Sequence, residues 1–328
     1  MSGSAYVTAL VSAGMSLSQA REFAGVNENN EFVPGKGYEI VDQKPSTSEG
    51  FSATLFEHAG QKYLAIRGTN DVIDLFIDFG VFVGTGAVDQ YRALDAFYAD
   101  LIARGKLSTA DQLLVTGHSL GGFLAQGFAV DHPTVVTQAF TYNAPGLGGI
   151  SAQILEALGI TPPNVPVSLI NNLRAEPGLS GTASLGTVLG SLQNVLIEAK
   201  LDPIHNHSII TLTDSLAIYD LFAKIDATLN TPDPAVGIGK ITDILKAGSN
   251  KPALSLEAAL DSLRTIFKDP TVQNLTPTPM DDRNAFYSNL NNTDFQNRIS
   301  GYTSSLSVVP LTDRDAFAIE ANAFADIG

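Results

Sequence analysis

Hydrophobic and polar positions change period several times along the chain, and each change predicts an element. Phe51–Glu57 alternates with the period of two that marks a strand, and Gln61–Ile66 repeats it. Ala59-Gly60 lies between the two runs, so they form a hairpin. Upstream, Ser16 and Gln19 have the spacing of a capping box and Gly25 supplies a stop, which predicts one short helix before a polar loop reaching about residue 50. From Gln90 onward Leu94, Phe97, Leu101 and Ile102 share one helical face, while Asp95 and Asp100 turn away from it. Gln112–Thr116 then reads as a buried strand, Phe123–Val130 as an apolar helix, and Gln138–Tyr142 and Val165–Asn171 as two further strands. Strands separated by helical stretches imply crossover connections. The pattern therefore predicts an α/β fold with a mostly parallel sheet flanked by helices.

After about residue 210 the character changes. Ser215–Leu229, Ala235–Lys246, Ser255–Phe267 and Asp281–Ile299 all repeat at helical spacing, with Pro-containing linkers between some of them. The expected organisation is an α/β domain over residues 1–230 and a helical C-terminal extension over 231–328. The closing stretch, AFAIEANAFADIG, ends within a helical pattern, as a piece of a longer protein would.

Composition narrows the function classes. Of 328 residues, 44% are hydrophobic and 16% charged, which suits a folded chain with a sizeable core. Acidic residues outnumber basic ones 34 to 19, a net charge of −15 with no Lys/Arg run, and this argues against a nucleic-acid partner. Cysteine is absent, so disulfides, thiolate nucleophiles and Cys-ligated metals are excluded. The N-terminus has no basic region followed by an apolar core, and no stretch reaches the roughly 18 apolar residues of a membrane-spanning helix.

One motif carries chemistry. Gly117-His118-Ser119-Leu120-Gly121 matches G-x-S-x-G, with a buried strand before it and an apolar helix after it. The glycines let the chain turn sharply, which places Ser119 on a strained elbow with its hydroxyl exposed as a nucleophile. Enzymes using this elbow take one oxyanion donor from the residue after the nucleophile, here Leu120. The other comes from a loop after an earlier strand, and Thr69 in Gly68-Thr69-Asn70 is the candidate. A serine also needs a general base, and there are five histidines. His118 lies inside the elbow, His58 in the hairpin and His132 at a helix end. In this architecture the base comes after the nucleophile and the acid, which leaves His205 and His207.

The ordered set IRGT, VTGHSLGG and YNAPG resembles the class 3 lipase group of α/β-hydrolases over about residues 50–225. The stretch HNHSIITLTDSLAIYDLF is similar to the histidine region of bacterial members, including lipase-like domains of exported proteins. The resemblance implies His207 as the base, with His205 as alternative, and an acid after the strand before the histidine loop. Glu176 fits that place, and Asp202 is its competitor. It also implies that the segment Asp71–Gly86 forms a lid, with Phe76, Phe79, Val81, Phe82 and Val83 as an apolar underside or as plain core. Asp71, Asp74 and Asp78 then form a solvated stripe rather than a cation site. The implied activity is hydrolysis of lipid carboxylic esters through an acyl-enzyme, without metal or organic cofactor and with export from the cell without a cleavable N-terminal signal peptide, a cytoplasmic location being the alternative. Phospholipase A1 or another acyl hydrolase is the alternative within enzymes. A catalytically silent binding module of a larger exported protein is the alternative outside them.

Overall fold

A computed structural model of the chain describes residues 1–68, 79–147, 167–176, 186, 188–229, 234–248, 255–267 and 275–303. Seven strands form one sheet in chain order: β1 Glu39–Lys44, β2 Ala53–His58, β3 Gln61–Ile66, β4 Leu113–His118, β5 Val136–Tyr142, β6 Ile170–Glu176 and β7 Ser191–Leu196. The first two pairings are antiparallel and the four from β3 to β7 are parallel. The mostly parallel sheet expected from the sequence is what forms. The β2–β3 hairpin closes at Ala59 and Gly60, both at positive φ (49° and 80°), the backbone that a two-residue connection needs.

Among the described residues two crossover helices run between the parallel strands, α3 Phe79–Ala103 and α4 Leu120–Asp131. Side chains alternate across the pleat, so each central strand serves two cores. Leu55, Leu64, Ile66, Leu113, Val115 and Ala139 face the α3/α4 layer and pack with Leu94, Phe97, Phe123 and Phe128. Phe56, Tyr63, Ala65, Leu114, Phe140 and Tyr142 face the other side. There they meet α1 Gly3–Ser12 and α2 Leu17–Ala24, and the later helices α6 Ile209–Ile225, α7 Pro234–Gly248, α8 Leu256–Phe267, α9 Arg283–Leu290 and α10 Thr293–Thr303. A short α5, Pro203–His207, precedes α6. Each fully buried Phe of these layers contributes about 2–3 kcal/mol by leaving water. Residues on both sides of position 230 thus share one apolar cluster.

Several elements depart from the sequence reading. The capping box of α2 forms as expected, with Ser16 and Gln19 bonded reciprocally and Gly25 in the left-handed region. The helix expected from Gln90 already begins at Phe79, within the segment expected to be a lid. The strand expected at Val165–Asn171 instead runs from Ile170 to Glu176, after a single 3₁₀ turn at Val167–Leu169. β1, β7 and α1 were not expected. The helix expected over Asp281–Ile299 is two helices, broken where Asn292 caps the second by accepting from the Phe295 N–H at 3.1 Å.

Candidate active site

Strand β4 runs straight into α4, and Ser119 sits at the joint with φ 54° and ψ −124°. A residue other than glycine at positive φ is uncommon and is held only where its surroundings over-determine it. Here close backbone packing does so. A Cβ on Gly117 would lie 2.1 Å from the Gly121 carbonyl oxygen, and one on Gly121 would lie 2.2 Å from that of Ile66. A Cβ on Gly122 would meet the Ala144 Cβ at 2.6 Å. Strand, turn and helix touch through their main chains, which only glycine permits. The Ser119 N–H donates to the Tyr142 carbonyl at 2.8 Å, which ties the elbow to the end of β5.

Ser119 takes the N-cap position of α4, yet its hydroxyl makes no capping bond. The first N–H groups of the helix, Leu120 among them, have no carbonyl four residues back within the helix to accept them, and the helix dipole is positive at this end. In one respect the expectation is corrected. Ser119 is not exposed but 1% accessible, and among the described residues its Oγ makes no hydrogen bond. His118 and Asn143, both buried, bond to the main chain of buried His207, so β4, β5 and α5 meet beside the elbow.

His207 closes α5, and its main-chain oxygen accepts two hydrogen bonds. His118 Nε2 lies 2.7 Å from it and Asn143 Nδ2 lies 3.0 Å from it. A carbonyl oxygen only accepts, so His118 carries its proton on Nε2. The His118 and His207 rings lie 4.8 Å apart, centroid to centroid. Burial, reinforced by the neighbouring His118, holds the His207 pKa well below the ordinary histidine value. The buried imidazole is thereby kept neutral, the form a general base needs.

The other titratable residues sit elsewhere. The ring of His205 points Nε2 at the Glu198 carbonyl, 3.2 Å away. His58 donates through Nδ1 to the Gly37 carbonyl at 2.6 Å. Glu176 ends β6, adjacent to Ala175, whose N–H donates to Asn143 Oδ1 at 2.8 Å. Its carboxylate pairs with Lys246 Nζ at 3.0 Å. Asp202 caps α5, accepting from the Ile204 N–H at 2.9 Å. Among the described residues neither carboxylate contacts the His207 ring. Thr69, and Asp71 to Asp78 of the expected lid, lie outside the described residues, as do the side chains of the lid's apolar residues from Phe79 to Val83. Asp95, Asp131 and His132 bring ligand atoms within 4.8 Å of one another at the surface, where His132 Nε2 lies 3.2 Å from Asp95 Oδ1.

Two buried amide side chains were missed by sequence reasoning. Gln126 on α4 donates to the Pro145 carbonyl at 2.9 Å and accepts from the Leu147 N–H at 3.2 Å, so it anchors the loop after β5. Asn143, with φ 46°, joins that loop to β6 and to His207. Its signal was present in the sequence: an Asn before Ala-Pro at a strand end suits a positive-φ turn.

No family model matches the chain. An extracellular phospholipase A1 of Serratia liquefaciens is 35% identical over 113 residues, 34% of this chain, and the match spans only 32% of that protein's length. Among solved structures, lipase II of Rhizopus niveus is similar over 60% of this chain and 82% of its own, at 17% identity and a TM-score of 0.33. The lipase of Rhizopus microsporus var. chinensis covers 60% and 76%, at 16% identity and a TM-score of 0.36. The Rhizomucor miehei triacylglyceride lipase covers 58% and 78%, at 16% identity and 0.34. The sheet itself, mostly parallel with helices packed on both faces, is of the α/β class. Among the described residues no helix is long and apolar enough to cross a membrane.

Proposed function

We propose that this protein is a serine hydrolase that cleaves carboxylic esters of lipids. The observation that carries the reading is Ser119, held at φ 54° between a buried strand and a helix start, with the buried ring of His207 packed on the adjacent His118. In this reading Ser119 Oγ attacks the ester carbonyl carbon while the His207 imidazole accepts its proton. The leaving alcohol takes that proton, and water activated by His207 then hydrolyses the acyl-enzyme. The N–H of Leu120 and a donor from Thr69 hold the oxyanion. Gly121 packs on the end of β3, from which the chain continues through Gly68 toward Thr69, and this supports pairing the two donors.

Glu176 is favoured over Asp202 as the acid, because Asp202 already spends its carboxylate on a helix cap. Glu176 ends the strand joined to Asn143, and in this reading its carboxylate gives up the pairing with Lys246 to serve the imidazole. No metal or organic cofactor enters this chemistry. With Ser119 buried, substrate reaches the hydroxyl only when the surroundings of the serine open.

Phospholipase A1 activity is the second reading, favoured by the Serratia relative, whose extracellular character also supports export. A fluorophosphonate probe and an ester panel of graded chain length, with a phospholipid included, test both. Labelling and hydrolysis are expected from the wild type and neither from Ser119→Ala. Labelling of that variant, or none of the wild type, favours a silent binding module.

A further inference from the structure

We propose that His118 and Asn143 are positioning residues for the reaction: their two N–H groups converge on the main-chain oxygen of His207 and set where its imidazole stands relative to Ser119. The inference rests on the serine-hydrolase reading above and adds to it the groups that fix the base.

His207 ends a helix of only five residues, Pro203–His207, and the Ser208 that follows leaves helical geometry with ψ 134°. A segment so short gains little rigidity from its own hydrogen bonds. Its placement therefore depends on what grips it from outside. Asn206 ties the segment to Lys200 and His205 ties it to Glu198 and Thr211, but the grip on His207 itself comes from the strands that build the elbow. His118 is the last residue of β4 and the immediate neighbour of Ser119, and its Nε2–H donates to the His207 oxygen at 2.7 Å. Asn143 follows β5, and its Nδ2 donates to the same oxygen at 3.0 Å.

Asn143 is itself fixed at two further points. Its own N–H donates to the Leu173 carbonyl at 2.9 Å, and its Oδ1 accepts from the Ala175 N–H at 2.8 Å. One side chain thus joins the ends of β5 and β6 to the residue that carries the base. Both donors are buried, where a hydrogen bond is stronger than in water and its loss is felt in full. The acceptor is a main-chain atom, so the pair constrains backbone position rather than holding the ring directly. A shift of about 1 Å in a reacting group costs on the order of 100-fold in rate.

The test compares variants that differ in the donated hydrogen bond and little else. Asn143→Asp keeps the acceptor for the Ala175 N–H and tolerates the positive φ, but it turns an oxygen toward the His207 carbonyl. His118→Gln keeps an N–H at the reach of Nε2, whereas His118→Asn is one methylene short. Fluorophosphonate labelling rates, ester kcat and KM, and melting temperature are measured for each folded variant, with Ser119→Ala and His207→Ala as references. Asn143→Asp and His118→Asn are expected to label about 10- to 100-fold more slowly, with kcat lowered and KM nearly unchanged, and His118→Gln to recover most of the rate. Folded variants that label within twofold of wild type overturn the positioning role while leaving the hydrolase reading intact. So does a result in which His118→Gln is as slow as His118→Asn. If His207→Ala labels like wild type, His207 is not the base and this role falls, and if wild type fails to label the hydrolase reading itself fails.

Discussion

Arg283 grips the carboxylate of Asp214 through two N–H groups, Nε to Oδ2 at 2.7 Å and Nη2 to Oδ1 at 2.8 Å. The pair joins α9 to α6 across 69 residues of chain, and the same guanidinium reaches the Gly14 carbonyl and Gln19 Oε1 near the N-terminal helices. Tyr287 adds an O–H donor to Asp214 at 2.7 Å. Fork-shaped pairing of this kind orients as well as attracts. Arg283→Met keeps the apolar stem and deletes every guanidinium donor, leaving the Tyr287 hydroxyl on Asp214. It is expected to lower unfolding free energy by about 2–3 kcal/mol, at the lower end for a broken buried pair because the site is partly solvated. Denaturant titration measures it, and a loss below about 0.5 kcal/mol would show the pair to be surface decoration.

The elbow glycines divide sharply from glycines elsewhere. Gly121→Ala would place a Cβ 2.2 Å from the Ile66 carbonyl oxygen, a main-chain atom that no rotamer change can move. The expected cost is about 3 kcal/mol or more, with loss of any Ser119 reactivity. Gly239, inside α7, has nothing within 4 Å of the same added atom. Gly239→Ala is expected to stabilise by about 0.5–1 kcal/mol through helix propensity alone. Parallel melting curves of the two variants check both signs at once.

What was legible in the sequence was local. The capping box at Ser16 and Gln19, the hairpin at Ala59-Gly60 and the strand–Ser–helix elbow each announce themselves within a few residues. β7 did not, because its pattern runs against its burial: Leu192 faces solvent while Gln193 is buried beside it. The true extent of β6, expected at Val165–Asn171 but found at Ile170–Glu176, hides for a related reason. Asn172 is buried in mid-strand, where it accepts from Thr141 Oγ1 and donates to the Leu189 and Ser191 carbonyls, each at 2.7 Å. A polar residue with all its partners supplied is invisible to a hydrophobic count. At the site, Ser119 stood out by its motif. The hold of His118 and Asn143 on His207 did not, because a main-chain acceptor has no residue signature.

Glu198 gives a pH-dependent prediction. Burial, with Glu257, Asp281 and Asp214 nearby, pushes its carboxyl up to about 7, against the opposing hydrogen bond from the Leu256 N–H at 2.6 Å. The folded-state value lies above the unfolded value of 4.5, so the folded chain holds the proton more tightly. The stabilisation is complete below about pH 4.5 and is lost as pH rises through about 7. Glu198→Gln keeps an oxygen for Leu256 and cannot ionise. Its melting temperature relative to wild type is expected to be higher at pH 8 than at pH 5. An equal difference at the two pH values would mean that Glu198 does not titrate in this range.

His207 shifts in the opposite direction, and both activity and stability should register it. Its folded-state pKa lies well below 6.5, by burial first and by His118 second. The unfolded chain therefore binds a proton there more readily than the folded one. The contribution to stability is present above about pH 6.5 and drains away as pH falls below it toward the folded-state value. For catalysis the consequence runs the other way, because a general base works only when unprotonated. The acid limb of kcat/KM, which reports the free enzyme, is expected to fall below the ordinary histidine range, so hydrolysis persists at a pH where an exposed imidazole is charged. A profile measured from about pH 4.5 to 8, with melting temperatures at the same points, checks the pair of effects. An acid limb at about 6.5 or above would mean that a carboxylate closes on the ring in the working enzyme and offsets the burial. Repeating the profile in Glu176→Gln and Asp202→Asn would then identify the acid, since only the true partner's loss lets the limb drop.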